Sequence, residues 1–148
     1  VISISDVISE CERNGKSALD KDLKKRTYNI EMINQYLDSG VTKILCTSKG
    51  VMEMFHEKVA NKSKEFNFQE SESSKWQAEI IIQLNGNAKQ IKKLICRQYI
   101  FKGKTVRLIS IPSPGSPQRQ LKQFGFLGDD WREYADRYFE FTFNWLSL

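Results

Sequence analysis

The sequence predicts an α/β fold, a three-layer α/β/α sandwich around a mainly parallel central sheet. Three observations lead there. A helical pattern over residues 29–40 precedes a compact apolar run at 41–46, and a second helical pattern follows it. Such strand–helix alternation packs helices against a sheet with at least partly parallel strands. A second apolar run, residues 106–111, ends in Pro112-Ser113-Pro114-Gly115-Ser116-Pro117, which contains all 3 prolines of the chain. A strand that stops in a stiff loop is typical of the carboxyl edge of an open α/β sheet, where such folds place ligands. The third observation is size: 148 residues, 40% hydrophobic and 28% charged, suffice for one domain with a real core.

Taken in order, residues 7–26 are polar and charge-dense, with a turn signal at Asn14-Gly15 and an expected short helix over 7–12. Asn29 is placed to cap a helix carrying Ile30, Ile33 and Leu37, which Gly40 ends. Residues 41–46 read as a buried strand. Thr47-Ser48 then caps a helix with Val51, Met54, Phe55 and Val59 at helical spacing. Residues 61–75, rich in Ser, Lys and Glu, read as a mobile loop. Residues 76–84 are ambiguous between helix and strand, with the triplet Ile80-Ile81-Ile82 favouring a strand, and 87–94 reads as a basic helix. Lys102-Gly103-Lys104 between apolar runs reads as a hairpin turn. Asp129 and Asp130 would cap a last helix bearing Trp131, Tyr134, Tyr138, Phe139 and Phe141, an aromatic stripe best explained by core packing.

The totals exclude several chemistries. The single histidine, His56, rules out a histidine pair or a histidine-rich zinc site within this chain. Cys11, Cys46 and Cys96 are odd in number and far apart, without metal-ligand or disulfide spacing, which fits a reducing compartment. No apolar run approaches a membrane span, and no signal-peptide pattern is present. A cytoplasmic or nuclear, non-secreted monomer is therefore expected, with no metal and no cofactor. The net charge of +5 and pI near 9.1 permit nucleic-acid binding without requiring it.

On its own, the proline loop reads most simply as a structural turn. It also suits a phosphate backbone, since two serine hydroxyls and Arg119 sit on a turn whose conformations the prolines limit. Three segments, in order, resemble the uracil-DNA glycosylase superfamily, closest to its thymine-DNA, mismatch-specific uracil-DNA and DNA-deoxyinosine branches. They are Ile2-Ser3-Ile4-Ser5-Asp6-Val7-Ile8 with the following polar stretch to Asp20, then Lys43-Ile44-Leu45-Cys46-Thr47-Ser48-Lys49-Gly50-Val51-Met52-Glu53-Met54-Phe55, then Ile111-Pro112-Ser113-Pro114-Gly115-Ser116-Pro117-Gln118-Arg119. In that family a strand end is followed by a base-reading Asn or Asp. Next come a strand, turn and helix, and later a Pro-rich motif ending in arginine. The family's first motif, a Gly-x-x-Pro loop that positions water, would precede residue 1. The resemblance thus implies that residues 1–148 form the C-terminal two-thirds of a glycosylase-like domain. Residues 61–105 match nothing in the family's pattern.

What the resemblance implies is a domain that binds duplex DNA and excises uracil or hypoxanthine by hydrolysing the N-glycosidic bond. Base flipping costs a few kcal/mol, which such a loop helps to meet. Ser113, Pro114, Gly115 and Ser116 would pin phosphates, Pro117 and Gln118 would fill the vacated gap, and Arg119 would contact the backbone or the unpaired base. Asp6 would accept from an N–H on the base edge, and equally reads as a helix N-cap. Thr47, Ser48 and Lys49 would hold a phosphate at a helix N-terminus, and equally read as a simple cap. The branch with a catalytic histidine carries it where this chain has Ile111. The catalytic residues stay unassigned. The alternatives are a non-catalytic nucleic-acid or nucleotide-binding domain on the same fold, and a structural domain whose basicity is incidental.

Overall fold

The structure is a computed structural model that describes residues 6–13, 15, 23–90, 93–113, 115–126 and 131–148. The fold is mixed α/β. Strands β1 (Ile8–Arg13) and β2 (Leu23–Tyr28) pair antiparallel as a separate ribbon. The main sheet has four strands: β3 (Lys43–Cys46), β4 (Phe66–Phe68), β5 (Cys96–Phe101) and β6 (Lys104–Ser110), in the order β3-β6-β5-β4. The helices among the described residues are α1 (Ile30–Asp38), α2 (Lys49–Lys58), α3 (Glu70–Gln83), α4 (Pro117–Gln123) and α5 (Trp131–Ser147).

The expectation of a mainly parallel sheet is corrected. Among the described residues only β3 and β6 run parallel, with Lys43 opposite Arg107 and Cys46 opposite Ser110. β5 returns antiparallel because Lys102-Gly103 makes a two-residue turn with φ of 47° and 80°. Positive φ at both central residues gives a turn whose twist matches its strands. β4 then adds antiparallel at the edge.

The side-chain alternation of β5 and β6 divides the core. Tyr99, Phe101, Val106 and Leu108 join Ile33 and Leu37 of α1 and Met52 and Phe55 of α2. Cys96 and Ile109, facing the other way, join Trp76, Ile80 and Ile81 of α3, Leu121 of α4 and Ala135 and Tyr138 of α5. Burying a Leu or Ile side chain is worth about 1.5–3 kcal/mol, so these two clusters hold the helices to the sheet. Tyr138 adds a directed anchor: its hydroxyl donates to the Ser110 carbonyl at 2.6 Å, fixing the end of β6.

Four local expectations change. Residues 7–12 are not a short helix, because Ile8, Glu10 and Glu12 pair with β2, and pairing overrides local preference. Residues 61–75 are not a loop; they hold a 3-10 turn at Ala60–Lys62, strand β4 and the start of α3. The isoleucine triplet lies in α3, where the helical turn buries Ile80 and Ile81 and leaves Ile82 67% exposed. The basic helix shrinks to a 3-10 turn at Ala88–Gln90, with 91–92 outside the described residues. Asp129 and Asp130 also lie outside them, although the helix they were expected to cap is present as α5.

Candidate nucleic-acid interface at the carboxyl end of the parallel strand pair

The parallel pairing of β3 and β6 brings two of the sequence-predicted segments together. The Ile111 N–H donates to the Cys46 carbonyl at 2.9 Å, extending the ladder past both strands. Neighbouring strands lie about 4.8 Å apart. Residues 47–49 and 111–113 therefore leave the sheet side by side. The start of α1 faces the same end, because Asp38 at its other end pairs with Lys102 in the β5–β6 turn at 2.7 Å. Asn29, just before α1, donates from Nδ2 to the Asp6 carbonyl at 3.3 Å and from its backbone to the Val7 carbonyl. The Asp6 segment is thus carried to the same end of the sheet. Asp6 is exposed and leads into β1, so the N-cap reading of it is overturned.

In the 47–49 turn, Thr47 is exposed and Ser48 caps α2, its Oγ accepting from the Val51 N–H at 3.2 Å. The capping role is therefore real, and it leaves the hydroxyl proton available to a further acceptor. Lys49 is the first residue of α2. Burial pushes its pKa below the ordinary lysine value, and the charges of Lys93 and Arg97 push it further, against the pull of Glu53. The charges of Lys93 and Arg97 are thus felt at the start of a helix whose dipole is also positive there, although Glu53 pairs with Arg97 and offsets part of their effect.

Arg97 was not singled out by sequence reasoning. It is the second residue of β5, is only 8% exposed, and pairs through Nη2 with Glu53 Oε2 at 2.7 Å. Its guanidinium also lies 5.1 Å from the centre of the Phe68 ring. The sequence signal was a charged residue inside the apolar strand Cys96–Phe101, with Glu53 one helical turn after Lys49. Beside this pair, His56 Nδ1 lies 2.7 Å from the Tyr99 hydroxyl, and its ring packs edge-on against Phe68.

The proline segment is only partly a loop. Pro112 is buried and Ser113 half-buried, while Gly115 and Ser116 are exposed. The Ser116 N–H donates to the Ser113 carbonyl at 3.1 Å, closing a turn. Pro117 begins α4 at a position where its missing N–H costs nothing, so Gln118 and Arg119 are exposed on the first turn of a helix rather than in a loop. Pro114 lies outside the described residues. Gln120, also missed from sequence, reaches back from α4 and accepts from the Ser113 N–H at 2.8 Å.

A cleft of about 290 Å³ lies on the α3 side of the sheet, lined by Glu70, Ser74, Gln77, Lys93 and their neighbours. None of the sequence-predicted site residues lines it. Among the described residues, no group of three or more His, Cys, Asp or Glu side chains is placed to hold a metal ion, and no helix is long and apolar enough to cross a membrane. Comparison with protein-family models, curated proteins and solved structures finds no match to this chain.

Proposed function

We propose that the chain binds duplex DNA through the carboxyl end of the β3–β6 pair, as a glycosylase-like domain that excises uracil or hypoxanthine. One observation carries the reading. The two segments that resemble family motifs, 47–49 and 111–119, are separated by more than 60 residues yet emerge from adjacent parallel strands. The influence of the Lys93 and Arg97 charges on Lys49, at the start of α2, supports a phosphate there. Exposed Ser116, Gln118 and Arg119 supply further donors on the segment that follows β6. The core clusters on opposite sides of β5 and β6 support reading the helices as two layers around the sheet, the sandwich such a domain requires.

The non-catalytic alternative draws on Ile111, which stands where one branch of the family carries its histidine. An isoleucine neither donates a proton to a departing base nor polarises it. Both readings are tested on duplexes carrying a single uracil or hypoxanthine, with alkali-revealed strand cleavage read beside binding. Base release above that from an undamaged duplex supports the hydrolase. Binding without release supports the non-catalytic domain. Absence of binding removes both.

A further inference from the structure

Gln120 is 8% exposed and holds the proline turn from inside. Its Oε1 accepts from the Ser113 N–H at 2.8 Å, while its Nε2 is buried with no hydrogen-bond partner among the described residues. A buried amide donor left unpaired costs about 1–3 kcal/mol, so a site that retains one either relaxes or pairs it in another state. Among the described residues, two other buried polar side-chain atoms lack partners: Asn34 Oδ1 in α1 and Arg97 Nε, whose guanidinium already grips Glu53. Gln120 differs because its one satisfied bond goes to the segment expected to touch DNA.

We propose that Gln120 is the positioning residue of the DNA-contacting turn, and that its Nε2 takes up a backbone phosphate oxygen when duplex occupies the turn. This rests on the duplex-binding reading above. Oε1 ties the amide to Ser113, and Ser116 folds back on Ser113, so the amide and the described ends of the turn are held together in the free protein. The acceptor reaches Nε2 while Oε1 keeps its hold on Ser113. Both ends of the amide are then satisfied, and the turn is fixed in its bound position. A hydrogen bond to a charged acceptor is stronger than a neutral one.

The test is a titration of the ¹⁵N-labelled protein with a short duplex, following the Gln120 side-chain NH₂ signals, which Gln120→Met identifies by removing them. The expected result is a shift and slowed solvent exchange of that NH₂ pair on saturation, with the Ser113 amide protected throughout. Gln120→Met should lose about tenfold or more in duplex affinity, the size of one charge-assisted bond. Gln120→Glu, which keeps an acceptor for Ser113 and discards the donor, should keep Ser113 protected and still bind weakly. NH₂ signals unchanged in a saturated complex, or wild-type affinity in Gln120→Met, would overturn the role of Gln120 and leave duplex binding standing. Failure of the wild-type chain to bind duplex at all would overturn both.

Discussion

At the scale of single residues, the polar face of α2 is the most constrained part of the candidate interface. His56 contacts Tyr99 and Phe68, feels the charge of Arg97, and has Glu53 and Glu57 on its own helix. Burial lowers its pKa below the ordinary 6.5, Arg97 lowers it further, and the two glutamates partly oppose them. Burial holds the Tyr99 phenol protonated, so it donates to a neutral Nδ1. The sign of the linkage follows. The unfolded chain binds the proton more tightly, so this contribution to stability is complete above pH 6.5 and is lost as pH falls through the depressed folded value. Urea unfolding at several pH values should therefore show wild-type stability falling below pH 6.5, and His56→Gln falling less over the same window. Parallel pH profiles would show that His56 is not the group responsible. Cys46 and Cys96 play no comparable part, since burial pushes both thiols up to about 12 and leaves them un-ionised.

At the scale of elements, the turn after α4 explains why the proline segment has a fixed exit. Gly125 has φ of 82°, and a Cβ there would lie 3.0 Å from both the backbone N and O of Asn87. Gly125→Ala should therefore cost about 1–3 kcal/mol through strain and contact together. Gly115 has open space around its Cβ position, so Gly115→Ala should change stability by no more than about 0.5 kcal/mol. Thermal melts of the two variants check this, and equal melts would contradict the packing of 124–126 on 86–88. The same scale shows which elements were legible. β3, α2, the β5–β6 hairpin and α5 followed from apolar spacing and turn chemistry that agreed with each other. α3 did not, because two positions on its inner face are polar. Ser73 accepts from the Gln98 N–H at 2.8 Å, and Gln77 accepts from the Ile95 N–H. Those two residues satisfy β5 and its approach from within the helix, and so interrupt the apolar stripe that would have revealed it. The first turn of α4 was hidden differently: Pro117 read as loop, although proline is also a favoured opening residue of a helix.

At the scale of the molecule, one parallel strand pair lies inside a largely antiparallel sheet, and the proposed interface is at its carboxyl end. Strand–helix alternation around β3 foretold that pair, whereas the antiparallel remainder depended on pairings between distant segments. Lys93, Arg97 and Gln120 lie outside the quoted motifs, and only the pairing of β5 with β6 and the return of α4 bring them to the same end. Lys49 belongs to one of the segments leaving that end and Arg119 to the other. If these segments form one phosphate-binding surface, each cation that meets a phosphate contributes about one unit to the salt dependence of binding. The most direct measurement is duplex affinity across a range of salt concentrations for the wild type, Lys49→Ala, Arg119→Ala and the double variant. The account predicts a steep linear fall of log affinity with log salt, a slope shallower by about one unit in each single variant, and shallower by about two in the double. Wild-type binding that ignores salt, or variants whose affinity and slope match the wild type, would contradict the interface at the carboxyl end of β3 and β6.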